Sequence, residues 1–479
     1  MGIEIDKRPI WLLLAIRGLR PLFFLALALL FWYVISIPVD SNVDGALTVA
    51  GRNALAIFLV CLILWVSNAI PLAITSIFAI VLVPLLSVLP KEEVYGLFGN
   101  EAVFFILGAF ILAGAVMHSG LSNRVALFIL DRFGASPKRL LLSIFFLSAV
   151  LSCVMSEHAV AAMLFPVVLE IAKALELRPG KSGYGKLLFL SLAWGCVIGG
   201  VATFLGGARV ALAVGILKET TGNSIGFFEY SLAVFPLVVL MLGVGAFLLT
   251  HSFKIEIKSV AKAHEVLNKK MHSIGKVSFN EYAVGTVLLL TIAAWVTLGT
   301  ELGLATIALS SVVLLFILRL VRWKDIEEYV NWGIILMYGG AIILGTALEQ
   351  SGAALWLAEA SIGHFIINPW TAIAFFSLFT LIFTEGISNA AVIAILLPVG
   401  IGLTASFGMD PKIITFAIAV PAGLAFSLPL ATPANAIAVS SNYIGVKDMV
   451  KVGVIMSFIA WIAFNLLTTF YWPLIGMNY

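Results

Sequence analysis

The sequence predicts an all-α polytopic membrane protein made of two inverted repeats, each with a re-entrant hairpin. Three observations carry this. Hydrophobic residues make up 62% of the 479 residues and charged residues only 11%, too apolar a balance for a water-facing surface. Apolar runs of about 17 to 25 residues, each able to cross roughly 30 Å of hydrocarbon as a helix, recur from Pro21 to Pro473. Landmarks of the first half also return in the second: Ser119-Gly120 as Ser351-Gly352, Ser156 as Ser388 and Pro166 as Pro398, the numbers differing by 232 in each pair.

The amino terminus carries Lys7, Arg8, Arg17 and Arg20 around the start of an apolar run, without a small-residue cleavage pattern. It reads as a cytoplasmic tail and first span rather than a cleaved signal. Eleven full spans are expected, at residues 22–38, 53–70, 72–89, 101–119, 187–217, 229–250, 282–299, 303–320, 331–349, 413–444 and 452–472. Two further apolar stretches, 139–176 and 370–406, have arms short for a crossing and are interrupted at mid-length by polar residues. They are expected to be hairpins that enter and leave on one side.

With the amino terminus inside, cytoplasmic segments collect most of the Lys and Arg, among them Arg124, Arg132, Arg178, Lys254, Lys270, Arg322 and Lys451. Outside segments keep Arg52, Lys91, Lys218 and Lys412. The positive-inside rule supports this orientation in an inner, plasma membrane, with the carboxyl terminus outside. The first hairpin then opens to the cytoplasm and the second outward, the opposite sidedness that inverted repeats require.

This divides the chain into N-terminal scaffold helices (1–100), the first repeat with its inward-opening hairpin (101–228), and a connecting helix and cytoplasmic linker (229–281). Scaffold helices of the second repeat (282–330) and the second repeat proper, with its outward-opening hairpin and last helix (331–472), follow. Residues 121–133 and 353–365 mix apolar and polar residues as interfacial helices do. The hydrophilic stretch 251–281 reads as a solvated connector.

Net charge, +3, says little beside charge placement, and no basic patch interleaves with aromatics, so nucleic acid is not among the expected partners. Cys61, Cys153 and Cys196 lie in apolar segments without metal-ligand or redox spacing and read as packing residues. Gly199-Gly200 and Gly339-Gly340 are explained by close helix packing and need no nucleotide.

A hairpin tip inside the membrane exposes backbone groups that hydrocarbon cannot satisfy, so it survives only where protein, ions or water supply partners. The first tip reads Cys153-Val154-Met155-Ser156-Glu157-His158-Ala159 and the second Thr384-Glu385-Gly386-Ile387-Ser388-Asn389-Ala390-Ala391. Each is followed by an interrupted span: Thr203 to Arg209 through Gly206-Gly207-Ala208, and Leu430-Ala431-Thr432-Pro433-Ala434-Asn435. Broken helices offer carbonyls to cations and amides to anions, and ionisable groups at this depth are functional candidates.

These motifs resemble those of the divalent anion:sodium symporter family, the INDY-type dicarboxylate, citrate and sulfate carriers of the ion transporter superfamily, over nearly the whole chain. The family signature is Ser-Asn-Thr at each tip and a Thr-Pro-Pro-Asn-like break after it. Ser388, Asn389, Thr432, Pro433 and Asn435 keep the second-repeat pattern, while Ala390 replaces the Thr assigned to substrate contact. In the first repeat Ser156 is kept, Glu157 and His158 replace Asn and Thr, and Gly207, Ala208, Arg209 and Val210 replace the break motif.

The resemblance implies uptake or exchange of a small, divalent anion such as a dicarboxylate or sulfate, with no organic cofactor. Its substrate positions fall on Ser156, His158, Gly207, Arg209, Ser388, Asn389, Ala390, Thr432 and Pro433. Sodium falls at Ser388, Asn389, Ala431, Thr432 and Asn435. It also implies a homodimer in the lipid bilayer, with a rigid scaffold and a transport domain moving as an elevator.

Two readings of Glu157 and Arg209 stand side by side. They form an intramembrane ion pair that locks the repeat, or Arg209 supplies a fixed positive charge where relatives bind a first cation, with His158 donating to the anion. An unpaired Arg209 would cost on the order of 2.5 to 3.5 kcal/mol, and Glu157 is the nearest candidate partner. Glu157 and His158 are also candidate proton carriers. Glu385 is expected one turn before the second tip, holding a cation or capping the tip. Proton coupling, obligate exchange and a cation/proton antiporter of the same superfamily remain alternatives to sodium symport. An intramembrane enzyme using Glu157 and His158 lacks any His-Glu-x-x-His motif or nucleophile constellation.

Overall fold

In hydrocarbon, helices satisfy their own backbone, and all regular structure among the described residues is helical. The protein is represented by a computed structural model that describes residues 10–37, 39, 47–361 and 368–477. Lys7 and Arg8 of the expected tail, and residues 362–365 of the expected second interfacial helix, lie outside the described residues.

The first half comprises α1 (Ile10–Ile35), α2 (Val49–Ser67), α3 (Leu72–Leu85), α4 (Lys91–Phe98), α5 (Glu101–Ser119), α6 (Leu121–Phe133), α7 (Pro137–Ser152), α8 (Glu157–Ala174), α9 (Gly183–Gly199), α10 (Arg209–Thr221) and α11 (Phe227–Ser252). The connector holds α12 (Ala261–Ile274). The second half comprises α13 (Phe279–Leu302), α14 (Leu304–Ile317), the single turn α15 (Trp323–Ile326), α16 (Trp332–Gln350), α17 (Ala353–Ser361), α18 (Pro369–Gly386), α19 (Asn389–Phe407), α20 (Pro411–Ala419), α21 (Pro433–Ser440) and α22 (Val446–Phe470).

Local signals repeat with the sequence offset. Ser136 and Asn368 each cap a helix whose first residue is proline, α7 and α18, a position where the missing N–H costs nothing. Ser156 and Ser388 cap α8 and α19 with the same backbone angles, −62°/140° and −63°/141°. Gly120 and Gly352 turn the chain after α5 and α16 at φ 86° and 74°, the left-handed region that glycine enters without a Cβ penalty.

Packing repeats too, with partners exchanged: α3 lies along α16, and α14 along α5. Gly340 of α16 faces Ser76 of α3, where an added Cβ would stand 2.5 Å from the serine Cβ; Gly108 of α5 faces Ala308 of α14, at 2.7 Å. Both partners in the second pair are displaced by 232 from those in the first. The two halves are therefore interlocked through small-residue seams of the kind that let helix backbones approach in membranes. Gly340→Val is expected to lower thermal stability by about 1–3 kcal/mol through overpacking, measured as a fall in melting temperature of the purified protein. Unchanged melting would mean this seam is loose.

Several expected spans differ from the structure. Residues 53–70, 101–119, 229–250, 282–299, 331–349 and 452–472 do contain helices long and apolar enough to cross a bilayer, but 72–89 and 303–320 hold helices of only 14 residues, about 21 Å long. Residues 187–217 and 413–444 are each split in two. The hairpin arms, 16, 18, 18 and 19 residues, are longer than a half-crossing needs, and both arms of the second qualify as spans by length and composition. Length does not stop these arms; the seat of each tip against a broken helix does.

The connector is not a free linker. Ala263 and Leu267 of α12 are buried, and the helix packs on α6 and α8. Lys262 pairs with Glu176 at 2.6 Å and Lys270 with Glu170 at 2.8 Å.

Candidate functional site

The breaks 200–208 and 420–432 interrupt spans at sequences that cannot continue a helix. The first has Gly200, Gly206 and Gly207; the second has Pro421, Gly423 and Pro429, with Pro433 opening α21. Helix α10 starts after Ala208, which is already helical at −51°/−25° and offers no side-chain cap, whereas α21 starts after Thr432, extended at −139°/151° with its hydroxyl capping the helix. Tip-to-break spacing differs between the repeats, so the offset of 232 that matches the tips does not carry over to the starts of α10 and α21.

In the first repeat, tip and break are tied by backbone. Glu157 N–H donates to Gly206 O at 3.0 Å, and the Thr203 hydroxyl donates to Cys153 O at 2.6 Å. Arg209 and Glu157 are 3% and 6% exposed. Arg209 Nη1 lies 3.5 Å from Glu157 Oε2, and Nη2 donates to Gly200 O at 2.7 Å. Nε has no partner among the described residues. A Cβ at Gly207 or at Gly423 would fall closer than 3.0 Å to the guanidinium, so the group is held between a glycine of each repeat. Buried in this way, the Arg209 guanidinium is closed off from direct contact with a solute in this conformation.

Ser156 spends its Oγ on the cap, accepting from Ala159 N–H. His158 is exposed on the first turn of α8 and takes no part in the Glu157–Arg209 pair. A cleft of about 20 Å³ beside the tip is lined by Ser156, Met155, Phe204, Leu205 and residues of α5.

In the second repeat, Thr384 Oγ1 lies 2.6 Å from Asn389 Oδ1 and 2.8 Å from Ala422 O, joining the tip to the break. Its one proton serves one of these, and an Asn389 amide turned to donate would satisfy both. Glu385 does not cap its own tip. Its carboxylate accepts N–H bonds from Phe426, Ser427 and Leu428 and a hydroxyl bond from Ser457, so it holds the break and has little left for a cation. Asn435 Nδ2 donates to Ala425 O and Leu428 O, both at 3.1 Å, and Thr432 Oγ1 accepts from Asn435 N–H. Asn435 Oδ1 is buried without a partner among the described residues. Ala431 and Thr432 are buried; Ser388, Asn389 and Ala390 are half-buried; Pro433 is exposed.

The halves meet here. Helix α8 packs along α21 and α10 along α19, pairing the second arm of each hairpin with the half-helix of the other repeat. Tyr443, beyond the end of α21, donates to Leu177 O beyond the end of α8, so these two run parallel. Four helix N-termini thus begin in the tip and break region, and such ends favour anions. Gly200, Gly423, Thr203, Thr384 and Ser457 belong to this site and escaped motif reading. Thr384 stood in the quoted tip, whereas no pattern marks Gly423 or Ser457.

The sodium:sulfate symporter transmembrane region model matches residues 21–478. The chain belongs to this family. Family membership makes it a multi-pass membrane transporter and not an enzyme. It is 30% identical over 483 residues to the sodium-dependent dicarboxylate transporter SdcS of Staphylococcus aureus strain NCTC 8325, covering 95% of this chain and 91% of that protein. The Staphylococcus saprophyticus protein of the same name is also 30% identical, over 84% of this chain and 82% of its own. Among solved structures, the Alcanivorax borkumensis YdaH transporter superposes with a TM-score of 0.57 at 15% identity, covering 80% of this chain and 88% of that one. Neisseria gonorrhoeae MtrF gives 0.53 at 14%, covering 79% and 83%. At these identities the last two likenesses concern the fold alone.

Proposed function

We propose that the protein is a sodium-coupled symporter of small divalent anions, dicarboxylates first, in which one positive charge is built in and another is carried. Arg209 supplies the built-in charge in the first repeat. Sodium supplies the carried one in the second, at Ser388, Asn389, Ala431, Thr432 and Asn435. The observation that carries this reading is the fully buried Asn435 Oδ1, without a partner among the described residues, in a break that also holds the Thr432 hydroxyl and main-chain carbonyls, neutral oxygens of the kind suited to an alkali cation. Among the described residues no three His, Cys, Asp or Glu side chains converge as a divalent-metal site would require. The names of the staphylococcal relatives support a dicarboxylate as the anion.

The anion lies across the N-termini of α8, α10, α19 and α21, touching Ser156, His158, Gly207, Ser388, Asn389, Ala390, Thr432 and Pro433 in its course, with the field of Arg209 behind it. The tips and breaks move as a transport domain against a scaffold drawn from 1–100 and 282–330, in an elevator-like step. The protein works as a homodimer in the plasma membrane, amino terminus cytoplasmic and carboxyl terminus outside.

The test is uptake of radiolabelled succinate by proteoliposomes of the purified protein, with inward sodium or potassium gradients and with unlabelled sulfate as competitor. Sodium is expected to accelerate uptake at least tenfold over potassium. Equal rates in the two salts would overturn sodium coupling, and succinate uptake no faster than in protein-free vesicles would overturn the substrate class.

A further inference from the structure

We propose that Gly423 is a positioning residue that couples the two charges: it seats the Arg209 guanidinium against the second-repeat break, so that cation binding there sets where Arg209 stands. The inference rests on the reading that sodium occupies the second-repeat site.

The contacts form one continuous chain. Asn389, at the second tip, meets Thr384; Thr384 meets Ala422 O; Ala422 adjoins Gly423, whose Cα faces Nε, Cζ and Nη2 of Arg209; Arg209 in turn meets Glu157 at the first tip and Gly200 O in the first break. A cation drawn to Asn389 and the neighbouring carbonyls pulls on the segment that holds Gly423. A movement there is transmitted by direct contact, because the guanidinium has no free space on that side.

Neither Gly423 nor Gly207 has a positive φ, so an alanine fits the backbone at both. What these glycines provide is clearance. A methyl group at either would meet the far end of a flexible side chain and no backbone atom within its three nearest neighbours, so the expected consequence is a displaced guanidinium in a folded protein. The unpartnered Nε is consistent with a group placed by shape and not by a full set of hydrogen bonds. Such coupling is reciprocal: if sodium raises anion affinity by some factor, the anion raises sodium affinity by the same factor.

The experiment measures equilibrium binding of radiolabelled succinate to purified protein at saturating sodium and at zero sodium, with potassium replacing it, and binding of radiolabelled sodium without succinate. For the unaltered protein, sodium is expected to strengthen succinate binding by about 5- to 150-fold, the usual range for coupled sites. Gly423→Ala is expected to bring that factor below about threefold while sodium binding without succinate stays within about threefold of normal. Gly207→Ala, which crowds the same guanidinium from the opposite side without changing a residue of the second break, should do likewise and serves if the first variant folds poorly. A sodium effect in Gly423→Ala within twofold of normal would overturn the proposal. So would parallel loss of sodium and succinate binding, which would mean local damage to the cation site. A factor of one in the unaltered protein would overturn the sodium reading itself, and this coupling with it.

Discussion

Arg209→Gln is expected to reduce anion uptake by more than 100-fold in protein that is correctly inserted. The guanidinium is 3% exposed, faces Glu157 at 3.5 Å and bonds Gly200 O. Removing it takes away a positive charge in low dielectric and also strands the Glu157 carboxylate, and breaking a buried pair from one side costs about 3–5 kcal/mol. Loss of uptake alone would therefore mix stability with function. The double variant Glu157→Gln with Arg209→Gln separates them: with no stranded charge, its thermal stability should recover toward normal while uptake stays low. Glu157→Gln alone should leave Arg209 on Gly200 O and give a milder defect, since the positive charge remains. Near-normal uptake by Arg209→Gln would return the pair to a purely structural role.

The second large effect is expected at the cation site. Asn389→Ala and Thr432→Ala should each raise the sodium concentration for half-maximal uptake by more than tenfold, with smaller changes in melting temperature. Thr432 Oγ1 also caps α21 by accepting from Asn435 N–H, and cap loss costs about 1 kcal/mol. Thr432→Ser keeps both the cap and the oxygen and should stay close to normal. If Thr432→Ser were as defective as Thr432→Ala, or if sodium activation were unchanged in Asn389→Ala, the site would lie elsewhere.

Much of this architecture could be read from the sequence because membrane physics leaves few solutions. Ser156 and Ser388 announce the tips because serine is a favoured side-chain cap for a helix start, and a buried Arg209 announces a carboxylate because a lone charge there is costly. Pairing between distant elements was less legible. Glu385 looked like part of its own tip, yet it reaches across to the amides of Phe426, Ser427 and Leu428, a partnership that no local pattern encodes. Gly423 carried no signal in the sequence, and only the position of Arg209 against it gives it a purpose. The hairpins were legible in extent, expected at 139–176 and 370–406 and found from Pro137 to Ala174 and from Pro369 to Phe407, because the polar tip and the flanking caps mark both turns.

The central claim is that the second-repeat break carries one exchangeable cation while Arg209 holds the place of another. The most direct measurement is the dependence of succinate affinity on sodium, with potassium keeping ionic strength constant, plotted as the logarithm of the association constant against the logarithm of sodium concentration below saturation. One sodium per anion site predicts a slope of one. A slope of two or more would mean that a further cation binds with the anion despite Arg209, and a slope of zero that none does; either result would contradict the account.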